Sequence, residues 1–202
     1  MRFWPPFHTY SIDIISDSPN KLVFRAPKDV RLRMTADHLD LNQNPGSCFT
    51  HYNHDTCLWE CYHSSFVTGH HRLFIWLLDS DYDDKWAIAV RFDVSIEEKV
   101  DSFIYPITTS VFNSLRCQLI TPMNGIFSKE SLPSEIIVRV PCVHDVQLQI
   151  DEAILVVGKS LVNNCYRLEI PSTIPNHVKN FVLMGLRFDD MHYSILITYK
   201  IE

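Results

Sequence analysis

Apolar residues along this chain recur at alternate positions, in short runs interrupted by proline, asparagine and aspartate. A period of two marks a half-buried β-strand, because successive side chains point to opposite faces of a sheet. On this pattern residues 10–15, 22–25, 30–34 and 87–94 read as strands, the second and third split by Pro27. Residues 73–78 form an unbroken apolar run and read as a strand buried on both faces. In the second half, residues 111–120, 135–140, 146–150, 154–157, 166–170 and 194–201 read as strands as well. No window of a dozen residues carries apolar side chains at helical spacing; the nearest, 95–103, aligns only Ile96, Val100 and Phe103. Short strands at regular intervals with almost no helix predict antiparallel sandwiches. With only five glycines, the hairpins are expected to turn on Asn163-Asn164, Asp83-Asp84 and proline.

The pattern occurs twice. With one two-residue insertion, Arg25, Pro27, Asp29, Val30 and Leu32 fall on Arg139, Pro141, Asp145, Val146 and Leu148. Further along, Trp86, Ile88, Val90 and Phe92 fall on Tyr193, Ile195, Ile197 and Tyr199. The spacing between copies shortens by a few residues from the first pair of segments to the last, a change loops absorb at small entropic cost. In between, Cys61-Tyr62-His63 can be set against Cys165-Tyr166-Arg167. A fixed-offset repeat predicts one folding unit per copy. The expected division is 1–105, a diverged sandwich with a Cys/His-rich insert, and 106–202, a more regular one packed against it.

The second copy resembles a known family. A strand ending at Pro141 and the strand 145–150 are followed by Tyr166, Leu168, Ile170 and Pro171, then by Phe188, Asp189, Ile195 and Ile197. Over residues 133–201 this order is similar to the CS/α-crystallin sandwich of p23-like co-chaperones, small heat-shock proteins and the C-terminal domain of PIH1-type assembly factors. The resemblance implies two tandem antiparallel sandwiches of CS/Hsp20-like type. It also implies a binding module that docks partners on a sheet face or pairs through an edge strand. The implied partners are chaperones or subunits of a complex under assembly.

Composition narrows the classes without choosing among them. Hydrophobic residues are 46% and charged residues 21%, an ordinary globular balance. The net charge is −6 with basic residues scattered singly, which argues against nucleic acid as a partner. No apolar run approaches the roughly 18 residues of a membrane span. The first residues lack the apolar core of a signal peptide, so the expected compartment is the cytosol or nucleus, with the six cysteines reduced.

Four segments carry candidate chemistry. Residues 48–63 hold six potential zinc ligands, of which His51, Cys57, Cys61 and His63 are the candidates for a tetrahedral site; a strand–loop–strand with incidental Cys and His is the competing reading. His70 and His71 beside Gly69 read as a turn with exposed imidazoles. Asp79, Asp81, Asp83 and Asp84 form the densest acidic run; it lacks the glycine and terminal glutamate of an EF-hand and reads as a hairpin tip or a recognition loop for a basic partner. Trp4 and Phe7 lie in an aromatic N-terminal segment able to anchor a partner. Any special surface is expected in the first copy, where the two patterns diverge. No hydrolase, kinase or nucleotide-binding motif is present, and no cofactor is called for. The expectation is therefore a non-enzymatic interaction module, a scaffold or co-chaperone-like adaptor. The alternatives are a zinc protein built on the 48–71 segment and a self-assembling structural protein of matrix or coat type.

Overall fold

Prolines and short polar turns cut this chain into strands too brief to fold alone, so each must find its partners in a sheet. In the computed structural model, residues 13–18, 21–38, 47–79, 86–97, 103–151 and 154–202 are described. The first part holds β1 (Asp13–Ser18), β2 (Lys21–Arg25), β3 (Val30–His38), β4 (Ser47–Asn53), β5 (Leu58–Ser64), β6 (Gly69–Asp79) and β7 (Ala87–Ile96). They form a four-stranded sheet, β1-β2-β5-β4, facing a three-stranded sheet, β3-β6-β7. Phe24, Trp59 and Cys61 from one sheet meet Leu32, Met34, Leu73 and Ile75 from the other in a common core.

The second part holds β8 (Ile107–Thr108), α1 (Ser110–Ser114), β9 (Gln118–Thr121), β10 (Ile126–Phe127), β11 (Glu135–Arg139), β12 (Val143–Asp151), β13 (Ile154–Val157), β14 (Lys159–Ser160), β15 (Cys165–Glu169), β16 (Asn180–Arg187) and β17 (Tyr193–Ile201). Here β14-β15-β11-β9 faces β10-β17-β16-β12-β13, with β8 also paired to β17. Every pairing is antiparallel except that of β10 with β17. The chain is thus all-β, with its strands in antiparallel sheets and a single short α-helix among the described residues. No helix of the described residues is long and apolar enough to cross a membrane.

The two halves share one topology. With β8, β10 and β13 set aside as additions, each half has seven strands, of which the first, second, fourth and fifth make one sheet in the order 1-2-5-4 and the third faces them with the last two. That order, four strands against three, is the immunoglobulin constant-type plan; the second half adds a strand beside each outer edge. Val30 and Leu32 on β3, and Val146 and Leu148 on β12, are fully buried at equivalent places, as the repeat requires. The middle of the repeat has a different register from the sequence match. Phe24 opposes Trp59, and Val138 opposes Tyr166, so Trp59 corresponds to Tyr166 and Cys61 to Leu168.

A shared irregularity strengthens the correspondence. The β6–β7 register passes from Ile75↔Val90 to Trp76↔Ile88, leaving Ala89 as an extra residue. The β16–β17 register passes from Leu183↔Ile197 to Met184↔Ile195, leaving Leu196 extra. Ala89 and Leu196 are matched in the repeat that sets Trp86 on Tyr193. A bulge inverts the inside–outside alternation beyond it. The expectation that Ile88 and Ile195 face inward with their neighbours is therefore wrong: they are 53% and 47% exposed.

Three other elements differ from the sequence reading. The strand expected over 111–120 is α1 followed by β9; the Thr109 hydroxyl accepts the Phe112 N–H at 3.4 Å and caps the turn, which lets Phe112 and Asn113 point into the molecule. Strand β6 is not buried on both faces. It lies between β3 and β7, with Leu73 and Ile75 inward and Phe74 and Trp76 on the half-buried outer face. His70 and His71 stand within β6 rather than in a turn; His70 is exposed and His71 fully buried.

Candidate interaction surface

The two sandwiches are joined by a packed seam. The outer face of β4 and β5 carries Phe49 and Tyr62, and Tyr105 and Phe112 from the connecting segment lie against them. Phe49 stacks on Tyr105 at 6.0 Å between centroids and meets Phe112 at 5.9 Å. Above this cluster the buried Asn113 amide donates to the carbonyls of Leu32 (3.2 Å) and Thr50 (3.1 Å), bridging β3 and β4. The Arg116 guanidinium donates to the Lys28 carbonyl and lies over the Tyr52 ring. Arg31 Nε returns a bond to the Ser114 carbonyl at 2.9 Å. Buried aromatics and saturated carbonyls of this kind fix the angle between domains, unlike a flexible tether.

Beside the seam lies a polar cluster on the same sheet face. Glu60 lies 3.2 Å from His51 Nε2 and 3.0 Å from Lys21 Nζ through Oε2. Its Oε2 also accepts the Tyr62 hydroxyl at 2.5 Å, and Oε1 accepts the Asn53 amide at 3.0 Å. These donors, His51 first, hold the Glu60 carboxyl well below the usual carboxylate range against the opposing effect of burial.

Among the described residues, several exposed apolar side chains share the outer face of the β8-β17-β16-β12-β13 sheet. One row across the strands runs Val157, Gln147, Met184, Ile195. The next runs Leu155, Gln149, Val182, Thr198, Ile107. Leu155, Val157 and Ile107 are 53%, 60% and 58% exposed and Ile195 47%. Half-buried Met184 lies beside Ile195 and half-buried Val182 across Thr198 from Ile107, and the Gln147 and Gln149 column of β12 stands between them and Leu155 and Val157. Monomeric proteins rarely expose contiguous apolar patches beyond a few hundred Å², and those that do use them for binding. At one corner Asp145 Oδ2 accepts the Tyr193 hydroxyl at 2.6 Å and the Gln147 amide at 2.9 Å. The carboxylate pushes the Tyr193 phenol up to about 12, so it stays protonated and holds this corner of the face in place.

The sequence candidates fall elsewhere. Trp4, Phe7, Asp81, Asp83 and Asp84 lie outside the described residues, and Asp79 is described only as the backbone end of β6. His51 is on the outer face of its sheet, Cys61 and His63 follow the opposite, inward parity, and Cys57 is exposed in the β4–β5 turn, so the structure does not bring the four together. Among the described residues no group of three or more His, Cys, Asp or Glu is placed to hold a metal ion. A Ser–His contact that no motif announced, Ser65 Oγ to His71 Nε2 at 3.2 Å, is buried, and Ser65 donates to the Val67 carbonyl at 2.6 Å. It braces the β5–β6 connection and offers no access to a substrate.

All six cysteines are free thiols. Burial pushes Cys48 and Cys61 up to about 12, which suppresses the reactive thiolate. Cys142, expected to pack beside a strand, is exposed at the β11–β12 turn with φ 61°. Native protein should therefore show two fast thiols toward an aromatic disulfide reagent, Cys57 and Cys142, a slower one at half-buried Cys48, and three, Cys61, Cys117 and Cys165, that react only on unfolding. Peptide mapping that places fast label on Cys61 or Cys117 would contradict the buried assignments.

The fold defines the class: an all-β protein of antiparallel sheets packed as sandwiches, with exposed apolar side chains on the outer face of one sheet. No family model matches the chain, and no curated protein matches it.

Proposed function

We propose that this chain is a non-enzymatic protein-interaction module, a scaffold or adaptor in the assembly of a multiprotein complex. The observation that carries the reading is the apolar outer face of the six-stranded sheet, held on a rigid two-sandwich frame. The reading assigns it other proteins, chaperones or complex subunits, as partners, and the cytosol or nucleus, where thiols persist, as its compartment. The CS/α-crystallin type belongs to the same proposal. In its favour, Tyr166, Leu168 and Ile170 of the resemblance sit in the core of the second sandwich. Against it, the strand order follows the immunoglobulin plan, and seven-stranded sandwiches share such core patterns. Fold alone does not assign function, so the reading rests on the exposed face and not on the choice between the two plans.

The test is capture from lysate of the source cells with the wild-type chain and with Ile195→Lys as baits. The expected result is a protein retained at near-stoichiometric amount by the wild type and lost from the variant. Recovery of the bait alone, monomeric and without such a protein, would sink the reading.

A further inference from the structure

From the same face we infer that its occupant is a second copy of this chain, packed face to face with antiparallel strands about a two-fold axis. This rests on the interaction-module reading and names the partner. The face spans five strands about 4.8 Å apart, roughly 20 Å across and about as long. With side-chain relief that is on the order of the 600 Å² per partner at the lower end of standard interfaces. A two-fold contact must be self-complementary, each patch meeting its own copy. Gln147 and Gln149 lie on β12, beside the central strand β16 of the face, and their carboxamides, donor and acceptor at once, can pair with polar groups of a facing copy.

The charge distribution selects the direction. At one end of the sheet stand Asp145, Asp189 and Asp190, with Arg187 paired to Asp189 at 2.7 Å. At the other end Lys129, Lys179 and Lys200 surround a cavity of about 480 Å³ together with Glu202. Parallel packing would set acid on acid and lysine on lysine. Antiparallel packing sets the acidic end of each copy over the lysines of the other, and opposes the repulsion expected of a chain carrying −6. It also carries Met191, 89% exposed at the tip of the β16–β17 loop, toward the lysine-lined cavity of the second copy. The outer face of β3-β6-β7 has no such division into an acidic and a basic end: Asp93 pairs with Arg72 at 3.6 Å and with Arg91 at 3.3 Å, and Asp37 stands opposite Arg72.

Sedimentation velocity of the full chain from 1 to 100 µM at low salt tests this. The expected result is a concentration-dependent dimer that weakens at least tenfold at high salt, and that Ile195→Lys and Val157→Glu each abolish while keeping the wild-type melting temperature. Both positions are already half exposed, so the fold has room for the new side chains. Lys179→Glu should weaken the dimer at least tenfold, and adding Asp190→Lys should restore it. A monomer at 100 µM, or a dimer indifferent to Ile195→Lys and Val157→Glu, would overturn the inference. Loss of the dimer in these variants without recovery in the charge swap would overturn the antiparallel arrangement. A monomeric chain that still captures a different protein, in an Ile195-dependent way, would overturn self-pairing and leave the adaptor reading standing.

Discussion

Replacing Phe49 with alanine is expected to lower stability by about 3–5 kcal/mol, the cost of truncating a buried aromatic. For a chain of this size that is a fall in melting temperature of about 6–20 °C. Phe49 is 1% exposed, although it lies on the outer face of a sheet, because the second sandwich and its connecting segment cover it. Its ring touches Tyr62, Tyr105 and Phe112, so truncation opens a cavity between two domains rather than within one. The distinctive consequence is a change in cooperativity. Calorimetry of the wild type should give one transition, and the variant two, as each sandwich melts on its own core. Asn113→Ala should do the same more weakly, by about 1–3 kcal/mol, by stranding the Leu32 and Thr50 carbonyls. A single transition in Phe49→Ala, displaced by less than about 1 kcal/mol, would show that the seam does not couple the halves.

Sequence periodicity found most strands because alternation is a local property, and β2, β3, β11, β12 and β15 lie close to where it predicted. It missed β16 for a physical reason. Val182, Met184 and Leu186 face outward and Phe181 and Leu183 inward, so both faces are apolar and no alternation is visible. Gly185 adds the look of a loop, yet it stands within the strand, where a Cβ would come 3.1 Å from the Leu196 side chain, a tight contact. Strands β4 and β5 are the strand–loop–strand that the sequence offered as the alternative to a zinc site, with polar residues among their alternating positions. His51 and Glu60 sit on a buried outer face, where the second sandwich and their mutual bonds replace water. The bulges at Ala89 and Leu196 are invisible to any pattern of fixed period, and one of them turns Ile195 onto the exposed outer face.

The face proposed for binding thus lies in the second copy, where the sequence expectation looked to the first. Divergence in the first copy suggested function there, yet much of that divergence serves the seam: Phe49, His51, Glu60 and Tyr62 adapt one sheet to a neighbour. In the second copy the apolar residues that matched core patterns include several that face out. Leu155 and Val157 lie on β13, a strand with no counterpart in the first sandwich, and extend the sheet by one more apolar column. Hydrophobicity told the sequence reading that a side chain wanted cover, not whether its own domain supplied it.

Replacing Glu60 with glutamine is expected to cost about 3 kcal/mol at neutral pH, the low end for breaking a buried charged network, since Lys21 remains 35% exposed. The pH dependence gives the sharper test. The carboxyl is held well below its unfolded value of about 4.3 by His51, then Tyr62, Lys21 and Asn53. A carboxylate depressed in the folded state contributes stability that is fully present above the unfolded value and is lost as pH falls through the folded one. Wild-type stability should therefore fall steeply on acidification from about pH 5 to pH 2. The variant, with nothing to protonate at this position, should follow a shallower limb. The gap between them should narrow from about 3 kcal/mol at pH 7 toward zero at the acid end. Denaturant titrations at a series of pH values measure it directly. Parallel curves would mean that Glu60 contributes shape alone, and that the charge cluster walling the Phe49 seam has no energetic role.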